Sequence, residues 1–168
     1  QLATAALTRQ RIEAPYLLAD MASDAAGLLE GLEIETAHIV GASMGGMIAQ
    51  QFAIDHPRRT RTLTSIMSTT GNPDLSPARP EAMQALLTPT SPDRDAAIER
   101  GVSVFRTIGS PGFPFDEAML RRQAARAFDR CFYPEGMVRQ LAAVLASGSR
   151  NAELRRLDVP ALVIHGAD

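Results

Sequence analysis

The segment Gly41-Ala42-Ser43-Met44-Gly45 has the residue types and the spacing of a serine nucleophile, in the pattern G-x-S-x-G. Glycines two residues before and after the serine allow the backbone to turn sharply from a strand into a helix, so we expect a side chain at Gly45 to clash. This turn predicts a positive φ at Ser43 and lifts its hydroxyl above the sheet. The Met44 N–H, in the first turn of the helix, is then free to stabilise a developing oxyanion.

The elements around this turn follow from hydrophobic periodicity. Apolar residues at spacings of three and four predict a helix over 18–32. The apolar run 37–40 predicts a strand that is buried on both faces, and the helix over 44–56 ends before Pro57. Further apolar runs predict strands over 63–68 and 161–165.

The middle of the chain is divided by prolines into short helices. Ser91 and Pro92 predict the start of a helix that ends near 107, Asp116 predicts the cap of a helix over 117–129, and Pro134 predicts the start of one that ends at 146. The order βαβ, helical insertion, β predicts an α/β fold with a mainly parallel sheet. We expect a core of residues 1–68 and 150–168 and a helical cap of residues 69–149.

Composition narrows the function classes. The chain has 17 basic and 19 acidic residues, a formal charge of −2 and 45% hydrophobic residues, which excludes a basic nucleic-acid binder and favours a globular domain. No apolar stretch of about 18 residues and no basic, apolar leader is present, so we expect no membrane span and a cytoplasmic protein. The single Cys131 and the dispersed histidines at 38, 56 and 165 lack zinc-site spacing, and no metal is expected.

The segments 37–50, 56–57 and 159–166 resemble the α/β-hydrolase superfamily, in particular esterase-like members near the aclacinomycin methylesterase and 3-oxoadipate enol-lactonase groups. The resemblance covers nearly the whole chain. It implies a serine hydrolase of small-molecule carboxylic esters or lactones that forms an acyl-enzyme and needs no cofactor. By this resemblance, Ser43 is the nucleophile, the Met44 N–H is half of the oxyanion hole, and residues 69–149 cover the acyl pocket.

The same resemblance places Gln1 after the first strands of the family and after its other oxyanion-hole loop. It places the catalytic acid at position 169, so Asp168 is either the neighbour of the acid or, with a shift of one residue, the acid itself. The catalytic histidine of the family lies further on. We therefore expect this chain to be incomplete by itself and to pair through exposed sheet edges, as a homo-oligomer or with another segment. The alternative is an inactive hydrolase-like fragment, or a ligand-binding or oligomerising domain.

The histidines of the chain are poor candidates for the base. His56 lies about 20 Å from Ser43 along the helix, and His38 lies about 16 Å back along the strand, so both are out of reach. His165 ends a strand at the same sheet edge, and we interpret it as fixing that strand end.

Two other families share part of the pattern at the turn. The glycine-rich turn also resembles that of short-chain dehydrogenases, but their third glycine is Met47 here and the chain has no lysine to accompany a catalytic tyrosine. Dehalogenases and epoxide hydrolases carry aspartate where this chain has Ser43.

Two sets of side chains in the predicted cap, one apolar and one basic, each have two interpretations. One set of apolar residues could line a substrate pocket, although an ordinary cap core is favoured for most of them: Met83, Phe105, Phe113, Phe115, Met119, Phe132 and Met137. A second set is interpreted as a solvated helix face in preference to an anion site: Arg121, Arg122, Arg126 and Arg130.

Overall fold

The computed structural model describes residues 12–76 and 78–166, so the candidate acid Asp168 lies outside the described residues. In chain order the elements are α1 (Leu18–Gly31), β1 (Ala37–Ala42), α2 (Met44–Asp55), a short 3₁₀ helix (Pro57–Arg59), β2 (Thr60–Ile66), α3 (Pro80–Leu87), α4 (Arg94–Ile108), α5 (Glu117–Arg130), α6 (Pro134–Ser147), α7 (Asn151–Leu154) and β3 (Ala161–Ile164).

The three strands form one parallel sheet in the order β1-β2-β3. Gly41 lies opposite Ser65, and Ser65 lies opposite Val163. Helix α2 makes the crossover from β1 to β2 that a parallel pair requires. The predicted α/β fold with a mainly parallel sheet is confirmed.

One face of the sheet carries the core of this part of the chain. Ile39 of β1 packs against a cluster formed by Ala22 and Ala26 of α1 and Phe52 of α2. The alternate residues of β1 point away from these helices, and Val40 is 63% exposed. The expected burial of β1 on both faces is therefore wrong for the described residues, because α1 and α2 both contribute to the core on the Ile39 side.

Residues 76–137 form a second compact unit, and the described residues up to 75 form the first together with those from 138 onward. The predicted division at 69 and 149, and the role of the helices between them as a cap, stay predictions. In the second unit, α4 and α5 approach each other closely at one pair of small residues, since a Cβ atom on Gly101 would lie 3.1 Å from the Ala124 Cβ. Arg94 forms a salt bridge with Asp129 across the same helix pair, with 2.7 Å between Nε and Oδ1, and Arg121 forms a salt bridge with Glu99.

Many of the large apolar side chains of the second unit lie outside its core. The whole set that was expected to form mostly an ordinary core is 36–76% exposed: Met83, Phe105, Phe113, Phe115, Met119, Phe132 and Met137. That expectation is wrong, because the buried apolar residues of this unit are instead Ala97, Ile98 and Val102 of α4 and Leu120 of α5. Arg122, Arg126 and Arg130 are exposed as predicted, whereas Arg121 is held in ion pairs with Glu99 and Glu117.

Helix starts in this unit are set by aspartate caps. The Asp116 carboxylate accepts a hydrogen bond from the Met119 N–H at 2.8 Å, which confirms its predicted capping role. Helix α4 begins two residues later than its predicted first residue, because the Asp93 carboxylate caps it by accepting from the Ala96 N–H at 2.8 Å. The Ser91 hydroxyl instead accepts from the Asp93 N–H, in the turn before the helix.

Helix α2 begins very close to the strand that precedes it. A Cβ atom on Gly41 would lie 2.0 Å from the Gly45 carbonyl oxygen, and one on Gly46 would lie 2.6 Å from the Ser68 Cβ. A Cβ atom on Gly45 would meet nothing within 4 Å beyond its chain neighbours and its own helix. The expected clash at Gly45 is therefore wrong: its carbonyl faces Gly41, while its Cα faces open space, and Gly46 is the second glycine that close packing requires.

The three glycines should differ in their sensitivity to substitution. We expect Gly41→Ala to prevent stable folding, since its neighbour is rigid backbone, and Gly46→Ala to lower the free energy of unfolding by about 1–3 kcal/mol. Ser68→Gly should recover part of that loss in a double-mutant cycle. Gly45→Ala is the matched control and should change the free energy of unfolding by less than about 1 kcal/mol. Urea denaturation measures each of these variants, and an equal loss at all three glycines would contradict the packing.

The pairing of α4 with α5 should weaken in acid. Hydrogen bonds from Arg121 lower the pKa of Glu99, and hydrogen bonds from Arg94 lower that of Asp129. Because the folded pKa is depressed, this stabilisation is present above the unfolded carboxyl pKa of about 4 and is lost as the pH falls below it.

Two substitutions test the ion pairs between these helices. Glu99→Gln and Asp129→Asn should each flatten the fall of the melting temperature below about pH 4. Asp24→Asn, at an exposed position on α1, is the control and should leave the acid limb unchanged. Melting temperatures measured from pH 3 to pH 7 give the comparison, and identical acid limbs in all variants would show that these pairs contribute nothing.

Candidate active site

Ser43 lies between β1 and α2 with the backbone of a sharp turn. Its φ is 54° and its ψ is −122°, so the predicted positive φ is confirmed. Such a conformation costs a residue other than glycine about 1–3 kcal/mol of conformational free energy. The residue is exposed and its side chain does not cap the helix, so the hydroxyl is accessible to a ligand.

Hydrogen bonds to the neighbouring strand and helix hold this turn. The Ser43 N–H donates to the Ile66 carbonyl at 2.9 Å, at the end of β2. The Ser43 carbonyl accepts from the Gly46 N–H at 2.9 Å and from the Met47 N–H at 3.2 Å. The backbone of the strained residue is therefore fixed on both sides by regular structure.

The Met44 N–H lies next to the hydroxyl in sequence and begins α2. Among the hydrogen bonds of the described residues, none has the Met44 N–H as its donor. An unpaired N–H at a helix N-terminus carries partial positive charge and is suited to bind an oxyanion. An exposed hydroxyl and an N–H suited to bind an oxyanion thus lie on consecutive residues, and their roles as nucleophile and oxyanion donor stay predictions.

No described histidine contacts Ser43. The His38 Nδ1 lies 2.9 Å from the Thr62 Oγ1 on the next strand, and the His56 ring packs on Phe52 with centroids 5.0 Å apart. The His165 Nδ1 lies 3.1 Å from the Gly166 carbonyl oxygen, in the turn after β3. The contacts of His38 and His56 agree with the expectation that both lie out of reach of Ser43, and the contact of His165 agrees with its interpretation as fixing the strand end.

A cleft opens beside the first turns of α1 and α2. Its volume is about 670 Å³, and its walls are formed by Pro15, Tyr16, Asp20, Met21, Asp24, Met44, Ile48 and Gln140. The described part of the chain contains no group of three or more His, Cys, Asp or Glu side chains able to hold a metal ion. Within the same residues, no helix has the length and apolarity needed to cross a membrane.

A buried polar cluster behind the turn was not found by the sequence reasoning. Arg150 is 4% exposed and donates from Nη2 to the Thr69 carbonyl at 2.9 Å and from Nε to the Gln50 Oε1 at 3.3 Å. The buried Gln50 in turn donates from Nε2 to the Ser65 hydroxyl at 3.0 Å. The feature of the sequence that could have indicated this cluster is Gln50, a polar residue within the apolar pattern of α2.

Comparison with known proteins agrees with this geometry. A sequence model of the α/β-hydrolase fold matches residues 6–168. The rhodomycin D methylesterase of Streptomyces peucetius is 31% identical over 171 residues, which cover 89% of this chain and 57% of the relative. The poly(3-hydroxyalkanoate) depolymerase of Ectopseudomonas oleovorans is 29% identical over 154 residues, which cover 92% of this chain and 52% of the relative. The chain therefore spans about half the length of these curated relatives.

Solved structures share the fold. The enol-lactonase from Burkholderia xenovorans LB400 superposes with a TM-score of 0.65 at 23% identity, over 94% of this chain and 57% of that one. A hydrolase from Pseudomonas aeruginosa PA01 superposes with a TM-score of 0.61 at 25% identity, over 91% of this chain and 55% of that one. With a strained serine between a parallel strand and a helix, and with a family match over almost its whole length, the chain belongs to the α/β-hydrolase fold family.

Proposed function

We propose that the protein carrying this chain is a serine hydrolase of carboxylic esters or lactones that works through an acyl-enzyme. The observation that carries the proposal is the exposed Ser43 at positive φ, followed directly by the unpaired Met44 N–H. The named relatives support an ester-type bond, since they are a methylesterase and a poly(3-hydroxyalkanoate) depolymerase, and one structural neighbour is an enol-lactonase.

The proposed reaction begins when the Ser43 Oγ attacks the ester carbonyl carbon while a base takes its proton. The carbonyl oxygen becomes an oxyanion that accepts a hydrogen bond from the Met44 N–H. The C–O bond of the ester then breaks, the alcohol leaves with the proton, and the acyl group stays on Ser43. Water, deprotonated by the same base, releases the acid and restores the hydroxyl.

This mechanism needs groups that the described residues do not bring to Ser43. The family resemblance assigns the base to a histidine that follows this chain, with Asp168 or its neighbour as the acid that orients it. It also assigns the second oxyanion donor to a loop that precedes the chain. These assignments belong to the proposal, and they make the activity a property of the whole protein.

A binding function without catalysis is the second candidate. It is favoured by one observation, that none of the described histidines contacts Ser43. Organophosphonates separate the two candidates, since they react with an activated serine and leave an ordinary one unmodified. Labelling of Ser43 in the full-length protein supports the hydrolase, and absence of labelling supports the binding function.

Replacing the nucleophile should remove catalysis while leaving the fold intact. We expect Ser43→Ala in the full-length protein to reduce the hydrolysis of p-nitrophenyl esters by at least about 10³-fold, because no acyl-enzyme can form. Folding should not suffer, since the Ser43 side chain caps nothing. Initial rates measured by nitrophenolate absorbance give the comparison.

Ser23→Ala is the control for this experiment. The Ser23 hydroxyl donates to the Ala19 carbonyl on the exposed face of α1, so the variant should keep the wild-type rate. A chelator should also leave the rate unchanged, because the proposed chemistry uses no metal. If Ser43→Ala retains its rate, the nucleophile lies elsewhere in the protein.

The 168-residue chain should pair with another chain when it is produced alone. Among the described strands, β1 and β3 are the edges of the sheet. Val40, Leu162, Val163 and Ile164 on these two strands are 49–72% exposed, which is a large apolar surface to leave in water. Light scattering is expected to show a dimer or larger species, and a monodisperse monomer that reacts with an organophosphonate would contradict both the pairing and the expected incompleteness.

A further inference from the structure

Arg150 is a buried cation whose described partners are all neutral. Besides the Thr69 carbonyl and the Gln50 side chain, its Nη1 donates to the Gly148 carbonyl at 3.4 Å, and its backbone N–H donates to the Thr70 carbonyl at 2.9 Å. No carboxylate of the described residues lies within ion-pair distance of it. Burial lowers the pKa of the guanidinium, which shows that its environment opposes the charge.

The partners of Arg150 belong to the segments that build the turn at Ser43. Gln50 lies on α2, the helix whose first turn supplies the Met44 N–H. Ser65, which accepts from Gln50, is the strand partner of Gly41. Thr69 lies in the loop that follows β2, three residues after the Ile66 carbonyl that holds Ser43.

The loop of residues 67–72 contains one strained residue, Met67, and lies close against two other segments. Met67 has a φ of 42° and Gly71 a φ of 76°, and a Cβ atom on Gly71 would lie 2.3 Å from the Gly148 carbonyl oxygen. The Ser68 Oγ is buried without a hydrogen-bond partner in the described structure. Its side chain touches the first turn of α2 at Gly46, so a shift of this loop would displace the helix start that carries the oxyanion donor.

We propose that Arg150 is a positioning residue of the Ser43 site. Its guanidinium ties the loop of residues 67–72 to Gln50, and through this loop it holds the first turn of α2 where the Met44 N–H can meet the oxyanion. It does not touch the substrate, because it is buried and its donors are taken by carbonyl and amide oxygens. The proposal rests on the hydrolase function proposed above.

The test compares Arg150→Lys, Arg150→Ala and the control Arg155→Ala in the full-length protein. Arg155 is exposed at the end of α7. We expect Arg150→Ala to lower kcat for p-nitrophenyl esters by about 10- to 100-fold with KM changed less than about threefold, since a misplaced donor affects the transition state more than binding. Arg150→Lys should keep an intermediate kcat, because an ammonium lacks the planar fork that reaches two separate acceptors. Arg155→Ala should match the wild type.

Chemical rescue separates positioning from general stability. Guanidinium chloride at tens of millimolar should restore part of kcat, and of the organophosphonate labelling rate, in Arg150→Ala and not in Arg155→Ala. A folded Arg150→Ala variant with wild-type kcat overturns the proposal, and so does a loss confined to KM. If Arg150→Ala does not fold, Arg150→Lys and Gln50→Leu decide, with a reduced kcat at unchanged KM expected and a wild-type kcat in both overturning it.

The same measurements distinguish this proposal from the hydrolase function on which it rests. A wild-type protein that neither hydrolyses esters nor labels at Ser43 overturns both. An active wild type that loses activity in Ser43→Ala, with Arg150→Ala as active as wild type, overturns the role of Arg150 alone.

Discussion

The close approach of Gly41 to the first turn of α2 is the steric constraint on which the site depends. The chain leaves β1, passes through one strained residue and enters the helix with no room for a side chain at Gly41. Because the turn occupies a single residue, Ser43 cannot relax into helical or extended backbone without moving the strand or the helix. The backbone conformation of Ser43 is thus a consequence of packing.

The cost of this strain is offset by ordinary structure on either side. The Ile66 carbonyl binds the Ser43 N–H at 2.9 Å, and Phe52 anchors the far half of α2 in the core shared with α1. Apolar burial of one phenylalanine contributes about 1.5–3 kcal/mol, which is comparable to the strain at one residue. A strained residue can therefore be kept in an unfavourable conformation by a few ordinary packing contacts and hydrogen bonds.

The buried cluster around Arg150 joins parts of the chain that are distant in sequence. Arg150 and Gln50 are 100 positions apart, yet they share a hydrogen bond behind the turn. A buried cation surrounded by neutral acceptors is costly unless its donors are satisfied. The hydrogen bonds of Arg150 to Thr69 and Thr70 therefore also hold the segment 148–150 against the loop that follows β2. The structure of the site is consequently divided between the segment that carries Ser43 and a segment near the end of the described chain.

The sequence alone determined the features that depend on local pattern: the turn, the positive φ of Ser43, the start of a helix at Met44 and the mainly parallel direction of the strands. It could not determine which glycine faces another segment, so it favoured Gly45 where the tertiary structure requires Gly46. The sequence alone also did not indicate the hydrogen bond between Arg150 and Gln50. Local patterns report backbone sterics and periodicity over a few residues, whereas close approach, burial and partner choice depend on segments that only folding brings together.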